Sequence, residues 1–435
     1  MQTSNDRLED LAERFRTSVP AATLRRVRAI AKWTREDGGR CALVGGPVRD
    51  LLLGWPNIDI DLAVETDVRD LVRRAEREWG CEARYYDAFE TATLLFDDGS
   101  KIDLARTRTE TYAQPGALPV VTPASLEDDL RRRDFTINAM ALVLRGDGFE
   151  ILLDPFDGRS DLARGRIRAL HAASFFDDPT RIYRAARFAG RFGFRVETQT
   201  ARRILAAVAA AAPTVVSRER LAREMRLILA EANPAPAIRH ITNLRAESFI
   251  FSHLERDPKP RHRMATADRF VARQHAKLDI DRLGMRALAL AWGWPQEAVR
   301  EWLIALGVTS ASAHRLAADA ARAPTVVDEL DRSRWIHDDE QLLACEGMRD
   351  EVLAVMAVSE SMVFRRWVAR YWKLRSLKTI RLNGDDLRAM GIRPGPQMGR
   401  ALAALRRAVW SGKAGNDRES QRQWVEWTLR RFFQR

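Results

Sequence analysis

Cysteine is scarce in this chain: three residues in 435, Cys41, Cys81 and Cys345, far apart and without a CxxC spacing. Such a set offers neither a zinc framework nor a disulfide scaffold and suits a reducing cytoplasm. Long apolar runs are also missing, so no bilayer-spanning segment is expected and no membrane partner. The opening MQTSNDRLEDLAERF mixes acids and bases without an apolar signal core, and no targeting segment is expected there. No short internal repeat is present, and the alanine-rich run near Ala206–Ala212 is a good helix former and no low-complexity tail.

Charge is present in excess, and its location matters more than its total. The formal net charge is +12, yet residues 361–435 alone hold 18 Lys and Arg against 5 Asp and Glu. That surplus of 13 leaves the rest of the chain close to neutral. A basic C-terminal segment implies a polyanionic partner or a solvated helical surface. Trp367, Tyr371, Trp372, Trp410, Trp424 and Trp427 are interleaved with these charges and read as core or as stacking groups.

With 46% hydrophobic residues the chain can bury several cores. Up to about residue 150, strand-like stretches (CALVGG, NIDIDLAVE, TATLLFDDG, KIDLART, FEILLDP) alternate with helical ones such as Val68–Glu78. From about residue 160 nearly everything carries helical periodicity. Breaks fall near Ala232–Pro236, Arg256–His262 and Arg393–Gln397. The expected class is α+β: a head with a small mixed sheet (1–150), then an all-helical neck (151–230), body (231–345) and tail (346–435).

NIDIDLAVE poses a chemical problem. Residues two apart on a strand share a face, so Asp59 and Asp61 would sit side by side and each would raise the cost of ionising the other. A divalent metal is the natural neutraliser. Ten residues earlier, LVGGPVRD ends a strand in Gly45-Gly46 and starts a helix at Pro47, with Arg49 on its first turn. Glycines let a backbone approach phosphate closely. Alone this turn is a weak signal; joined to an Asp-x-Asp strand it suggests a triphosphate held against Mg²⁺. Nucleotidyl transfer by a two-metal site fits that pairing. Asp103 in KIDLART is the candidate third carboxylate, and reads equally well as an ordinary strand-end aspartate.

LVGGPVRDLLLGWPNIDIDLAVE (Leu43–Glu65) resembles the signature of the class II tRNA nucleotidyltransferases and bacterial poly(A) polymerases, in the polymerase-β-like superfamily. EDDLRRRDFTINAMAL (Glu127–Leu142), LLDPFDGRSDLARGRIR (Leu152–Arg168), DDPTRIYRAARFAGRFGF (Asp177–Phe194) and SRERLAREM (Ser217–Met225) are similar to the family's remaining motifs, in order. The resemblance implies a polymerase-β-like head and addition of CMP and AMP from CTP and ATP to a tRNA 3′ end. It makes Asp59 and Asp61 metal ligands and catalytic, with Asp103 still the candidate third carboxylate from its strand position. It places Gly45, Gly46, Arg49, Arg133, Asp134 and Asn138 at the incoming nucleotide, Arg133 and Asp134 as a donor–acceptor pair for the ribose 2′-hydroxyl.

The resemblance also makes Asp178 and Arg181 the base-reading pair. On a helix, positions three apart share a face, and one carboxylate beside one guanidinium matches the amine-plus-acceptor edge of C and A while rejecting U and G. Arg184, Arg187 and Arg191 continue a basic stripe from Arg181, toward nucleotide at one end and RNA backbone at the other. The family usually has Glu where this chain has Asp177. Residues Arg106–Pro123, around Pro115-Gly116, resemble the family's flexible loop, which helps the site switch from C to A. LNGDDLRAMGIRPGPQMGRALAALRRAV (Leu382–Val409) is similar to the tail of many tRNA nucleotidyltransferases, with Arg388, Arg393 and Arg400 placed to grip RNA backbone. This tail favours tRNA end repair over poly(A) synthesis.

CC-only or A-only addition stays open, as does monomer against homodimer. A phosphohydrolase domain would need a His-Asp metal cluster, for which only His337-Asp338 offers a dipeptide. A non-catalytic RNA-binding module would be expected to lose Asp59, Asp61 or the Gly45-Gly46 turn, and all are present.

Overall fold

A computed structural model describes residues 4–55, 59–114, 116–117, 119–146, 148–250, 259–274, 278–331, 344–359 and 362–432. The chain divides into two compact units, Met1–Glu224 with Pro236–Ile250, and Met225–Ala235 with Phe251–Arg435. The expected α+β class is what is found. The first unit takes the expected head, the expected neck up to Glu224 and residues Pro236–Ile250 of the expected body, so the unit boundary does not coincide with the expected one at 230.

The first unit opens with helices α1 (Ser4–Ser18) and α2 (Ala21–Glu36). It continues through β1 (Cys41–Val44), α3 (Gly46–Leu52), β2 (Asp61–Val64), α4 (Val68–Trp79), β3 (Glu82–Tyr86), β4 (Thr91–Leu95) and β5 (Lys101–Arg106). After β6 (Arg108–Thr111), β7 (Val120–Pro123) and α5 (Leu126–Arg131), β8 (Ala141–Arg145) and β9 (Gly148–Leu153) complete the sheet. Seven strands lie in the order β3-β4-β5-β2-β1-β8-β9. Of these pairings only β2 with β5 is parallel.

The central strands are apolar on both faces because both are covered. Leu43, Leu62, Val64 and Leu142 pack with residues of α1, α2 and α4. On the other face Ala42, Val44, Ala63 and Val143 pack with Leu126 and Leu130 of α5. Local signals set the connections. The Asp67 carboxylate accepts the Arg69 N–H to start α4, whose buried stripe is Val68, Leu71, Val72 and Ala75, and Gly80 ends it with φ 61°.

Several expectations need correction. NIDIDLAVE was expected to be strand throughout, but β2 begins only at Asp61; Asp59 lies before it, and Asn57 and Ile58 lie outside the described residues. The loop expected between Arg106 and Pro123 carries a two-stranded hairpin, β6 with β7, in register Arg108↔Pro123 to Thr111↔Val120. Its alternating half-exposed residues give no apolar periodicity, which hid it. Pro115 lies outside the described residues.

After the sheet come α6 (Gly158–Ala163), β10 (Arg166–Ile167), α7 (Ser174–Asp177), α8 (Thr180–Phe192), β11 (Arg195–Val196), α9 (Thr198–Ala209) and α10 (Arg218–Ala230), within the segment expected as neck, and then α11 (Ala235–Asn243), within the segment expected as body. Helices α8 and α11 approach closely at Gly190, where an added Cβ would meet the Ala237 backbone nitrogen at 2.5 Å. The Tyr183 hydroxyl of α8 donates to the Ala246 carbonyl at 3.0 Å.

The second unit is helical: α12 (Lys259–Ala272), α13 (Arg282–Leu290), α14 (Gln296–Ala305), α15 (Ser310–Asp331), α16 (Asp350–Ser359), α17 (Met362–Leu377), α18 (Gly384–Ala389), α19 (Pro396–Trp410) and α20 (Arg418–Phe432). Helix α16 is buried on every side from Glu351 to Ala357, and is apolar there apart from Glu351. Trp367, Tyr371, Trp372 and Trp410 are buried core residues, whereas Trp427 is 54% exposed. No helix among the described residues is long and apolar enough to cross a membrane. His337-Asp338 lies outside the described residues.

Candidate active site

The turn from β1 into α3 shapes one wall of a cleft. Gly45 has φ 69° and ψ −121°, a backbone state for which glycine is the ready choice. A Cβ there would lie 2.5 Å from Arg133 Nη1, so the missing side chain is what lets that guanidinium in. Arg49 is only 4% exposed. It donates to Asn138 Oδ1 at 2.6 Å and to Asp50 Oδ1 at 2.8 Å, and lies over the rings of Phe188 and Phe192. Asn138 in turn donates to Asp134 Oδ1 at 3.0 Å.

Parallel pairing of β2 with β5 sets Asp61 opposite Asp103. Asp59, ahead of the strand, has a side chain 77% exposed. The expected side-by-side strand pair is thus Asp61 with Asp103 across two strands, and Asp59 joins from the edge. Lys101 Nζ is 3.4 Å from Asp103 Oδ2 and 3.9 Å from Asp59 Oδ1, a cation among three carboxylates. Thr93 Oγ1 donates to Asp103 Oδ1 at 2.5 Å. Burial first, then Asp103, pushes the Asp61 carboxyl up to about 6, against the pull of Arg133. Among the described residues no three such side chains close around one point as they stand. The donor set itself is all carboxylate oxygen, with Asp61 raised by burial and the like charge of Asp103 despite Lys101, and fits a hard divalent ion.

The arginine-rich wall is held by specific acids. Arg133 donates to Asp129 Oδ2 at 2.9 Å, and Arg132 donates to Asp129 Oδ1 at 2.7 Å and to Glu110 at 2.7 Å. Asp134 does not partner Arg133. Its Oδ1 accepts from Phe135 N–H and Asn138, and its Oδ2 accepts from Arg184 at 2.8 and 2.6 Å. Burial alone would raise the Asp134 carboxyl, but Arg184 and these donors hold it down at about 2. With four contacts filled, Asp134 anchors Arg184, and the expected role as acceptor for a ribose hydroxyl finds no spare oxygen. Arg187, expected on the basic stripe, sits with Nε 3.8 Å from Glu224 Oε2.

Asp178 and Arg181 were expected on one helical face. Asp178 instead occupies the extended break between α7 and α8, with φ −136° and ψ 93°. Its Oδ1 accepts from Thr180 N at 3.1 Å, Thr180 Oγ1 at 2.6 Å and Arg220 Nη2 at 3.0 Å. Arg181, 6% exposed, donates to Ser174 Oγ and to the Arg132 carbonyl, both at 2.8 Å. Asp177 sits with Oδ2 3.8 Å from His171 Nδ1.

These side chains converge on one cleft of about 510 Å³. Gly45, Gly46, Arg49, Asp61, Arg133, Asp134, Asn138, Asp178, Arg181, Arg184 and Arg187 all line it; Asp59 and Asp103 do not. Seven arginines against Asp61, Glu110, Asp134 and Asp178 leave a cationic surplus suited to a polyphosphate. Lining residues that the sequence had not assigned to the site include Glu110, Tyr112, Arg132 and Arg220. Arg132 and Arg220 stand inside quoted motifs, and Glu110 and Tyr112 inside the Arg106–Pro123 segment, so their positions were a usable signal; that Glu110 and Tyr112 face the cleft is seen only in the structure. Arg388, Arg393 and Arg400 belong to the second unit and are at its surface around the α18–α19 turn, where Gly391 and Gly395 have φ 90° and 121°. Arg388 pairs with Asp385 at 3.2 Å.

Residues 41–168 match the family described as Poly A polymerase head domain. The A-adding tRNA nucleotidyltransferase of Geobacter sulfurreducens is 34% identical over 93% of this chain and 47% of its own length. The CC-adding tRNA nucleotidyltransferase of Deinococcus radiodurans is 33% identical over 84% of this chain and 83% of its own. The chain spans about half the length of the A-adding relatives it matches. The solved Thermotoga maritima CCA-adding enzyme complexed with tRNA is similar at TM-score 0.77 and 28% identity, covering 97% of this chain and 98% of that one. The shared head motifs, the cleft they build and a likeness that continues through the helical remainder make this chain a member of the class II tRNA nucleotidyltransferase family.

Proposed function

We propose that this protein adds the CCA end of tRNA without a nucleic-acid template, transferring CMP and AMP from CTP and ATP to the 3′-hydroxyl and releasing pyrophosphate. One observation carries the reading: a single cleft joins the Gly45-Gly46 turn and Asp61 to Asp178 and Arg181. Phosphates lie against the glycine turn and Arg133. The base lies at Asp178, whose Oδ1 is filled by three donors while no donor among the described residues reaches Oδ2. That oxygen accepts the exocyclic amine of C or A, and Arg181 donates to the neighbouring ring nitrogen. U and G present a carbonyl and a ring N–H instead, and each mismatched hydrogen bond costs about 1–3 kcal/mol.

Asp59 and Asp61, with Asp103, are the residues that would hold Mg²⁺, which when bound lowers the barrier to attack by the 3′-hydroxyl and neutralises charge on the phosphates. The basic tail, with Arg388, Arg393 and Arg400, holds the tRNA backbone. The protein works in the cytoplasm as a monomer or homodimer.

A-only addition is the second reading, favoured by the A-adding names of several relatives. Extension of three tRNA transcripts, ending before CCA, after the first C and after CC, with each nucleotide separately and CTP and ATP together, distinguishes the cases. Ordered C, C, A addition that then stops is expected. Activity on the CC-ended transcript alone selects A-only addition, a halt after CC selects CC-only addition, and long A tails on unrelated RNA would make it a poly(A) polymerase. Asp61→Asn should lower incorporation by about a hundred- to a thousandfold with the thermal midpoint little changed.

A further inference from the structure

Arg220, near the start of α10, has both ends of its guanidinium engaged. Nη2 donates to Asp178 Oδ1 at 3.0 Å, and Nη1 donates to the Gly116 carbonyl at 2.8 Å. Gly116 lies in the connection between β6 and β7, and its own N–H donates to the Asp177 carbonyl at 3.2 Å. It has φ 73°, and an added Cβ would lie 2.5 Å from Val215 Cγ2 and 3.3 Å from the Val215 carbonyl oxygen. Only a glycine seats here without displacing the residues that lead into α10. One side chain therefore ties three separate pieces of chain: the hairpin connection, the Asp178 break and α10.

The geometry at Asp178 shows what the tie accomplishes. A carboxylate on a single Cβ can rotate, and rotation would exchange the oxygen turned toward a base. Thr180 holds Oδ1 from within the same turn, at 3.1 and 2.6 Å. Arg220 holds it from another element and adds charge to the hydrogen bond. We propose that Arg220 is a positioning residue for base selection: it fixes which Asp178 oxygen faces the nucleotide, and it does so while reading whether Gly116 is seated. The proposal rests on the base-reading role of Asp178 stated above. Arg220 touches neither nucleotide nor metal in this scheme and acts through Asp178 and Gly116.

The test compares Arg220→Ala, Arg220→Lys, Gly116→Ala and Asp178→Ala in the full chain. Single-nucleotide incorporation with CTP, ATP, UTP and GTP is the first readout, and amide exchange of the Gly116 segment is the second. Arg220→Ala should lower the ratio of kcat/KM for CTP over UTP, and for ATP over GTP, about tenfold, with KM for tRNA unchanged. Arg220→Lys, whose ammonium is a point donor without the fork, should restore part of that ratio. Gly116→Ala should shift the ratio in the same direction, and combining it with Arg220→Ala should add little, because both break one bridge. Exchange at Gly116 should quicken in Arg220→Ala. Unchanged ratios in Arg220→Ala, with Asp178→Ala losing discrimination, would overturn the proposal. Unchanged exchange would show that Arg220 does not hold Gly116 and would overturn it as well. If Asp178→Ala itself keeps full discrimination, the base reading fails and takes the proposal with it, whatever the exchange result. Should Arg220→Ala not fold, Gly116→Ala decides by the same two readouts.

Discussion

At the scale of single residues, the cleft depends on acids that are already spent. Asp134 shows this most plainly: a buried carboxylate with all four contacts filled is an anchor, and Arg184 is what it anchors. Its folded value of about 2 lies below the ordinary 3.8, so it contributes stability that is complete above pH 4 and is lost as the pH falls toward 2. Integrated over that shift the contribution is about 2 kcal/mol at neutral pH. Asp134→Asn should therefore lower stability at pH 7 by roughly that amount and flatten the acid limb of a denaturation profile between pH 4 and 2. An acid limb identical to that of the unsubstituted protein would place the acid sensitivity elsewhere. Asp61 titrates in the opposite sense because it is buried beside like charge. From the sequence, Asp59 and Asp61 looked equivalent; half-burial of one and exposure of the other separates them. The residue types were legible, while their hydrogen-bond partners, 50 positions away for Asp134 and Arg184, were not.

At the scale of elements, the motifs work because short segments stop where they do. The break between α7 and α8 takes Asp178 off the helix, against the i,i+3 reading, and its extended backbone lets Oδ1 meet both Thr180 and Arg220. Helix α8 then has to lie close to α11, and Gly190 permits this. Gly190→Ala would force a Cβ to 2.5 Å from the Ala237 nitrogen and 2.8 Å from its Cα. Overpacking of this kind costs about 1–3 kcal/mol, so a thermal midpoint lowered by several degrees is expected, with the CTP-to-UTP ratio preserved. A neutral Gly190→Ala would mean that α11 shifts without penalty. The β6–β7 hairpin is the element that the sequence concealed. Its strands are half-exposed and carry Arg108, Glu110 and Thr residues, so no apolar alternation marks them, and only the register with one another defines them. Glu110 and Tyr112 reach the cleft for that reason alone.

At the scale of the whole molecule, charge and chemistry are divided along the chain. The surplus of 13 positive charges in residues 361–435 lies on a different part of the chain from the cleft of the first unit, where seven arginines face four acids. Exposed Arg388, Arg393 and Arg400 should each contribute to RNA affinity through release of counterions. Replacing all three by alanine should reduce the slope of log affinity against log salt by about 2 to 3 and raise KM for tRNA, leaving KM for CTP unaltered. An unchanged slope would remove these residues from the RNA contact. The sequence by itself determined the α+β class, the helical remainder and the location of the basic segment, because periodicity and composition are local properties, while the motif residues that line the cleft were legible through their resemblance to a family. Tertiary structure alone decided that Asp61 pairs with Asp103 across parallel strands, that Asp134 belongs to Arg184, and that Arg220 joins Asp178 to Gly116. Those contacts bring together positions 42, 50, 42 and 104 residues apart, and no local pattern encodes which of many acids a distant arginine will meet once both are buried.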